Sequence, residues 1–263
     1  LFGRLPSKKE LQHFNTYIAL KRDLPNGFVE DMILKAPSQN IMNKLARSVL
    51  ALYSYDDDCE SKGLENEMRT AISLIAKLPV IMANAYQVKR RVFDNQSMIM
   101  HPINYEENTA QCILSLLRTD RQYTLEEAQM LDCLLMLQAE HGGGNNSTFT
   151  THLVSSSGTD TYSAISAALG SLKGPRHGGA NIKVVQMFDD MKASIDTKNE
   201  QEIKDYLRRL LDKQAFDKAG LIYGMGHAVY SLSDPRADVL RVYAEQLSKE
   251  KGMEDEFKLY KFV

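Results

Sequence analysis

Apolar positions along this chain recur at intervals of three and four, the spacing that brings side chains onto one face of a helix. Ser7 followed by Glu10 has capping-box spacing. Leu11, Phe14, Tyr17 and Ile18 then continue as a stripe until Pro25-Asn26-Gly27 breaks it, which predicts a first amphipathic helix. Ser38 stands where a second helix needs a cap, with Ile41, Leu45, Val49 and Leu52 on its apolar face. From Ser61 to Val92 the helical pattern runs on through Pro79. Proline removes an interior hydrogen bond and crowds the preceding turn, so this stretch is expected to kink or to split in two.

Thr124 with Glu127 repeats the capping-box signal, and Ala128, Leu131, Leu134 and Leu135 follow on one face of a helix reaching about Glu140. Tyr162 to Leu172, Asn181 to Ile195, Glu200 to Leu211 and Asp234 to about Lys251 read as further helices. No segment alternates as a strand, so the pattern predicts an all-α protein without internal repeats or flexible linkers. A length of 263 residues lies near the point where one core tends to divide, which predicts a large helical domain and a smaller helical one.

Composition narrows the function classes. A hydrophobic fraction of 43% with 25% charged residues is ordinary for a folded globular chain. The net charge of -2 supplies no global field for nucleic acid or an anionic membrane. Cys59, Cys112 and Cys133 are odd in number and widely spaced, which argues against a disulfide framework or zinc ribbon and suits a reducing cytoplasm. No run approaches the roughly 20 apolar residues of a membrane span. The opening, Leu1-Phe2-Gly3-Arg4-Leu5-Pro6, reads like the interior of a longer sequence.

Three histidines fall in glycine-rich breaks between helices. They are His141 in Glu140-His141-Gly142-Gly143-Gly144-Asn145, His177 in Gly174-Pro175-Arg176-His177-Gly178-Gly179-Ala180-Asn181, and His227 in Gly224-Met225-Gly226-His227. Glycine beside a polar side chain allows close backbone approach and positive φ, and a helix starting after the loop offers amide donors and a positive dipole end, a setting for an anionic ligand. A single such cluster is better explained as a helix stop with a satisfied histidine; three shift the balance. No pair of these histidines has zinc-ligand spacing, so no metal site is read. Gly142-Gly143-Gly144 is followed by no Gly-Lys-Ser/Thr and preceded by no strand, which excludes a phosphate loop and a dinucleotide fingerprint. His13, His101 and His152 lack such settings and are read as structural or surface residues. In Asp234-Pro235-Arg236 the first two residues make an ordinary helix start, which leaves Arg236 to clamp a carboxylate.

These three segments, together with the Asp234-Pro235-Arg236 that follows, occur in the order and at the intervals of citrate synthase active-site motifs, and the chain resembles that family, most strongly from Asp132 to Arg236. The resemblance implies a homodimeric all-α acyltransferase of the tricarboxylic acid cycle. Its large domain would span residues 1–178 and its small domain 179–263, with a cleft between them for oxaloacetate and acetyl-CoA. His177 would hold the thioester oxygen while the acyl α-carbon loses a proton, and His227 would polarise the ketone. His141 and Arg236 would orient the 2-oxo acid, and Leu221, Ile222, Tyr223, Gly224, Met225 and Gly226 would receive the adenine and pantetheine of CoA. CoA enters as a co-substrate; no metal or tightly bound cofactor is implied.

The family's general base is an Asp well beyond the His227 position, followed by further arginines, and this sequence ends at Val263. Asp255 sits in a charged run that reads as a solvated helix end, and the base's role is not carried to it. The chain therefore reads as lacking both ends. Two further readings stand beside citrate formation: a 2-methylcitrate synthase using propionyl-CoA, and a non-catalytic fragment or helical dimerisation module of the same fold.

Overall fold

A computed structural model of the chain describes residues 3–139, 144–226 and 230–263, and all its regular elements among them are helical, as the apolar spacing predicts. Contacts divide the chain into two compact units, Leu1–Lys173 and Gly174–Val263.

The first unit opens with α1 (Lys8–Leu20), whose Ser7–Glu10 capping box forms as read. A π-helical turn, Val29–Leu34, precedes α2 (Ile41–Leu52). The cap of α2 is Asn40 rather than Ser38: the Asn40 side chain accepts from the Asn43 amide at 2.8 Å, while the Ser38 hydroxyl donates to the Asn40 carbonyl at 2.9 Å and shapes the turn before it. Val49, Leu45 and Leu52 are buried on the expected face of α2. Lys44 is buried beside them, its ammonium donating to the carbonyls of Met32 and Ala36 and so closing the end of the π turn. Burial, with some help from Arg47, pushes that ammonium down to about 8.

The third helix, α3 (Leu64–Val92), runs unbroken through the buried Pro79, which corrects the alternative of two helices. The carbonyl that Pro79 leaves without a donor belongs to Ile75, a half-exposed residue. Leu74, Ile81, Ala85 and Val88 join Phe28, Ile33, Val49 and Tyr162 in one core cluster. Val80 and Ala83 join Cys112 and Leu116 of α4 (Thr109–Leu117) in another. Among the described residues α3 is long and apolar enough to cross a membrane, although half of its most apolar stretch is buried within this fold. The run-length reading does not register it because Lys77 and Pro79 interrupt the apolar run.

Helices α5 (Leu125–Gln138), α6 (Asn146–Ser155) and α7 (Thr161–Leu172) complete this unit. The Thr124–Glu127 box caps α5 as expected, but only Ala128 and Cys133 are buried there; Leu125, Leu135 and Met136 are exposed. On α6 no residue is buried, and Phe149 and Leu153 stand in the open. A polar network ties α7 to α3. Tyr162 donates its hydroxyl to Asp56 at 2.7 Å, and the Arg69 guanidinium reaches both Asp56 oxygens at 3.0 and 2.9 Å. Burial alone raises the Asp56 carboxyl, but these hydrogen bonds outweigh it and hold the group below its ordinary value.

The second unit holds α8 (Ala180–Ser194), α9 (Glu200–Leu211), α10 (Pro235–Lys251) and α11 (Glu254–Phe262). Met187, Phe188 and Met191 pack against Ile203, Tyr206, Leu210 and Leu259. Asp234 caps α10 with Pro235 at its first position, as read, and Gly252 in the left-handed region ends it. Glu254, Asp255 and Glu256 form the first turn of α11, where acidic side chains complement the helix dipole, so the charged run starts a helix instead of ending one.

Asp56→Asn is expected to lower the free energy of urea unfolding by about 1–3 kcal/mol at neutral pH, because Arg69 loses its carboxylate while part of it stays in water. Asp56 has a folded value below its unfolded one, so its stabilisation is present above the unfolded value and fades as pH falls through the folded one. The wild-type chain is therefore expected to lose stability more steeply than the variant in that acid range.

Candidate functional site

Residues 174–180 form a tight turn in which the Gly174 carbonyl accepts from the amides of His177 at 3.0 Å and Gly179 at 3.1 Å. The His177 carbonyl then accepts from Ala180 at 3.0 Å, and α8 begins there with no side-chain cap. His177 is half-buried directly ahead of the positive end of a 15-residue helix, the setting read from the sequence. The backbone differs from that reading in one respect. Gly179 has a helical φ of -63°, and the left-handed glycines of the site are instead Gly224 at 92° and Gly226 at 86°.

The loop Leu221–Gly226 lies against α8. A Cβ added at Gly224 would stand 3.4 Å from Val184 Cγ2, so the loop passes close to the second turn of the helix that His177 precedes. Ile222 and Tyr223 are half-buried and pack onto the core of the second unit, whereas Leu221 and Met225 are exposed. An open groove of about 450 Å³ runs here, lined by Val184, Phe188, Tyr223, Gly224 and Met225. Its apolar walls and the free edge of the loop suit a ligand with a flat or apolar portion. The structure thus brings His177's helix and the 221–226 loop together.

Arg236 sits in the first turn of α10 with its guanidinium engaged by the helix cap. Asp234 Oδ1 accepts from the Arg236 amide at 2.9 Å and from Nε at 3.1 Å, and Oδ2 accepts from Nη2 at 2.6 Å. Asp234 therefore caps the helix and fixes the direction of the arginine fork, a second role beyond the helix start read for it. His141 and His227 lie outside the described residues.

Asp255 is exposed, and hydrogen bonds from Lys198 and Lys258 hold its carboxyl below the ordinary value. That is the opposite of the raised value that suits a carboxylate base. His101 Nε2 donates to the Arg118 carbonyl at 2.9 Å, and His13 and His152 lie on helix surfaces, in keeping with structural or surface roles. Among the described residues no three His, Cys, Asp or Glu side chains gather as a metal ion would require. Sequence reasoning missed Lys183 and Asp217, which meet beside the loop at 3.0 Å. The one signal present was Asp217-Lys218-Ala219-Gly220, a turn composition that points to no chemistry.

The family model described as citrate synthase, C-terminal domain, matches residues 1–263. Curated relatives include the citrate synthase of Deinococcus radiodurans, 33% identical over 270 residues, with 100% of this chain and 65% of that protein covered. The citrate synthase of Haloferax volcanii is 32% identical over 254 residues, covering 95% of this chain and 62% of that protein. A mitochondrial 2-methylcitrate synthase of Fusarium solani is 31% identical over 256 residues, covering 93% and 52%. The citrate synthase structure from Pyrobaculum aerophilum matches with a TM-score of 0.81 at 26% identity, over 100% of this chain and 63% of that one. The enzyme of Thermoplasma acidophilum, solved as a ternary complex with carboxymethyl coenzyme A and oxaloacetate, matches in fold with a TM-score of 0.78 at 22% identity, over 100% and 64%. The chain spans between 52% and 65% of the length of the three curated relatives named here.

Gly224→Ala and Gly226→Ala are each expected to lower stability by about 1–2 kcal/mol, since a Cβ is disfavoured at positive φ. Urea titration followed by circular dichroism checks this, and the helical signal of the native baseline should stay unchanged.

Proposed function

The chain belongs to the citrate synthase family, and on that premise we propose that it carries part of a site where acetyl-CoA condenses with oxaloacetate and water to give citrate and CoA. In this reading a carboxylate base, which the resemblance puts beyond the His227 position and no residue named here supplies, takes the acyl α-proton while His177 donates a hydrogen bond to the thioester oxygen, where the negative charge gathers. His227 polarises the ketone of oxaloacetate. The enol carbon then bonds to the ketone carbon, and water cleaves the resulting citryl thioester to release CoA. Arg236, its fork aimed by Asp234, meets a substrate carboxylate together with His141. The backbone of Leu221–Gly226 receives the coenzyme; we call it the coenzyme loop. CoA enters as co-substrate, and the chemistry so written draws on no metal. Asp255 is given no part.

The observation that carries this reading is the close approach of Gly224 to Val184, the two lining one groove, which sets the coenzyme loop beside the helix that follows His177. Carboxymethyl coenzyme A and oxaloacetate in the Thermoplasma acidophilum complex support the ligand pair. The Fusarium solani relative supports a second reading, 2-methylcitrate formation from propionyl-CoA. The two acyl groups differ by one methylene, for which a pocket discriminates by only about 1–3 kcal/mol.

Association as a homodimer is part of the proposal. Leu125, Leu135 and Met136 on α5 and Phe149 and Leu153 on α6 expose large apolar side chains, as an interface would. The unpaired Cys59, Cys112 and Cys133 suit a reducing compartment such as the cytoplasm. A non-catalytic helical module of this fold is the competing reading, which turnover by this chain would exclude.

Oxaloacetate and CoA are each expected to raise the melting temperature of the purified chain, and any free thiol it releases from acetyl-CoA or propionyl-CoA should depend on oxaloacetate, the faster partner naming the acyl group. His177→Ala should slow that release by about 10²–10³-fold. Failure of either ligand to raise the melting temperature of the unaltered chain would sink the reading; ligand-induced stabilisation without release would favour the non-catalytic module. In sedimentation velocity, Phe149→Asp with Leu153→Asp is expected to turn a dimer into a monomer.

A further inference from the structure

Asp217 lies outside every motif read from the sequence, yet its carboxylate gathers three donors. Oδ2 accepts from the Lys183 ammonium at 3.0 Å and from the Tyr223 hydroxyl at 2.7 Å, and Oδ1 accepts from the Ala219 amide at 3.1 Å. Lys183 belongs to the first turn of α8, and Tyr223 to the coenzyme loop. The ammonium also stands 5.4 Å from the centre of the Phe216 ring and 5.9 Å from that of Tyr223. The two rings meet edge to face at 6.0 Å, so cation, anion and aromatic pair form one cluster.

The backbone around Asp217 is held where side chains disfavour it. Phe216 has φ 51° and Lys218 φ 57°, the left-handed region on either side of the aspartate. Non-glycine residues keep such conformations only where surrounding contacts over-determine them. The contacts that do so here are those of Asp217 and of the Phe216 ring. Two elements are thereby fastened together, the first turn of α8 and the loop, at a point distinct from the packing of Gly224 on Val184.

We propose that Asp217 is a positioning residue for the coenzyme loop: by holding Tyr223 and Lys183 together it keeps Leu221–Gly226 fixed on the helix that follows His177, so that the acyl-CoA meets a preformed surface. The proposal rests on the reading that this loop receives the coenzyme. Its physical content is an ordering cost met before the ligand arrives, which raises affinity without adding a contact to the ligand.

The test combines amide hydrogen exchange of the ligand-free chain with calorimetric titration of CoA, on the unaltered chain and on Asp217→Asn, Tyr223→Phe and Asp217→Glu. Asp217→Asn is expected to speed exchange in residues 221–226 and to raise the Kd for CoA, each by about tenfold, the size of one lost charge-assisted hydrogen bond. Exchange in α9 should stay put. Tyr223→Phe, which leaves the Lys183 pair in place, should move both readouts the same way, and Asp217→Glu should restore part of each. Unchanged exchange in 221–226 for both Asp217→Asn and Tyr223→Phe would overturn the positioning role. Exchange that rises equally through α8 and α9 would overturn it too, by showing a general structural role. Faster loop exchange with an unchanged Kd would show an anchored loop that the coenzyme does not use. Absence of CoA binding by the unaltered chain would remove the underlying reading, and the ligand-free exchange data keep that failure separate from the other.

Discussion

Helix α3 is the member on which the first unit depends, because one side of it faces the cluster built with α2, the π turn and α7 while another faces α4. A helix that must satisfy two cores has little freedom to break. That constraint explains why Pro79 sits inside it without ending it: the cost of one missing hydrogen bond is a few kcal/mol, whereas a break would expose Val80, Ile81 and Ala83 from the two clusters. The Asp56 network serves the same end from outside the apolar core, joining the α2–α3 connection to α3 itself and to α7, which lies far away in sequence.

The second unit solves a different problem. Its core is small and drawn from α8, α9 and α11, so α10 is attached mainly through α11 and buries only Ser248. What this unit does hold firmly is the joint between α8 and the coenzyme loop. One side of the joint is steric, Gly224 on Val184, and the other is electrostatic, Asp217 with Lys183 and Tyr223. The chemistry read for His177 needs such a joint, since a hydrogen-bond donor to a developing oxyanion acts only when the acyl group is delivered to a fixed place.

Much of this was legible from the residues. The capping boxes at Ser7 and Thr124, the α2 stripe and the Asp234-Pro235 start all rest on local physics, and local physics decided them. The elements that escaped, α4, α6 and α11, have only 9, 10 and 9 residues, too few for a repeating apolar stripe, although Asn108 and Gln111 do form a capping box that the spacing could have revealed. Ser38 failed as a cap because two candidates stood two residues apart and only the tertiary path of the chain chooses between them. Among the site residues, His177 could be read because glycine marks a turn and a helix follows. The Lys183–Asp217 contact could not, because it joins residues 34 apart whose individual surroundings look like ordinary solvated surface.

The left-handed backbone between Lys213 and Gly226 carries one more implication, for how this region can change over time. A loop whose path is written in backbone torsions at Gly224 and Gly226, and braced by one carboxylate, asks nothing of the side chains at Leu221 and Met225, which point into the open. Those two positions can drift through many residue types while the path of the main chain persists. On the proposed reading, substitutions at Met225, which lines the groove, would retune ligand preference while leaving the fold's stability almost untouched.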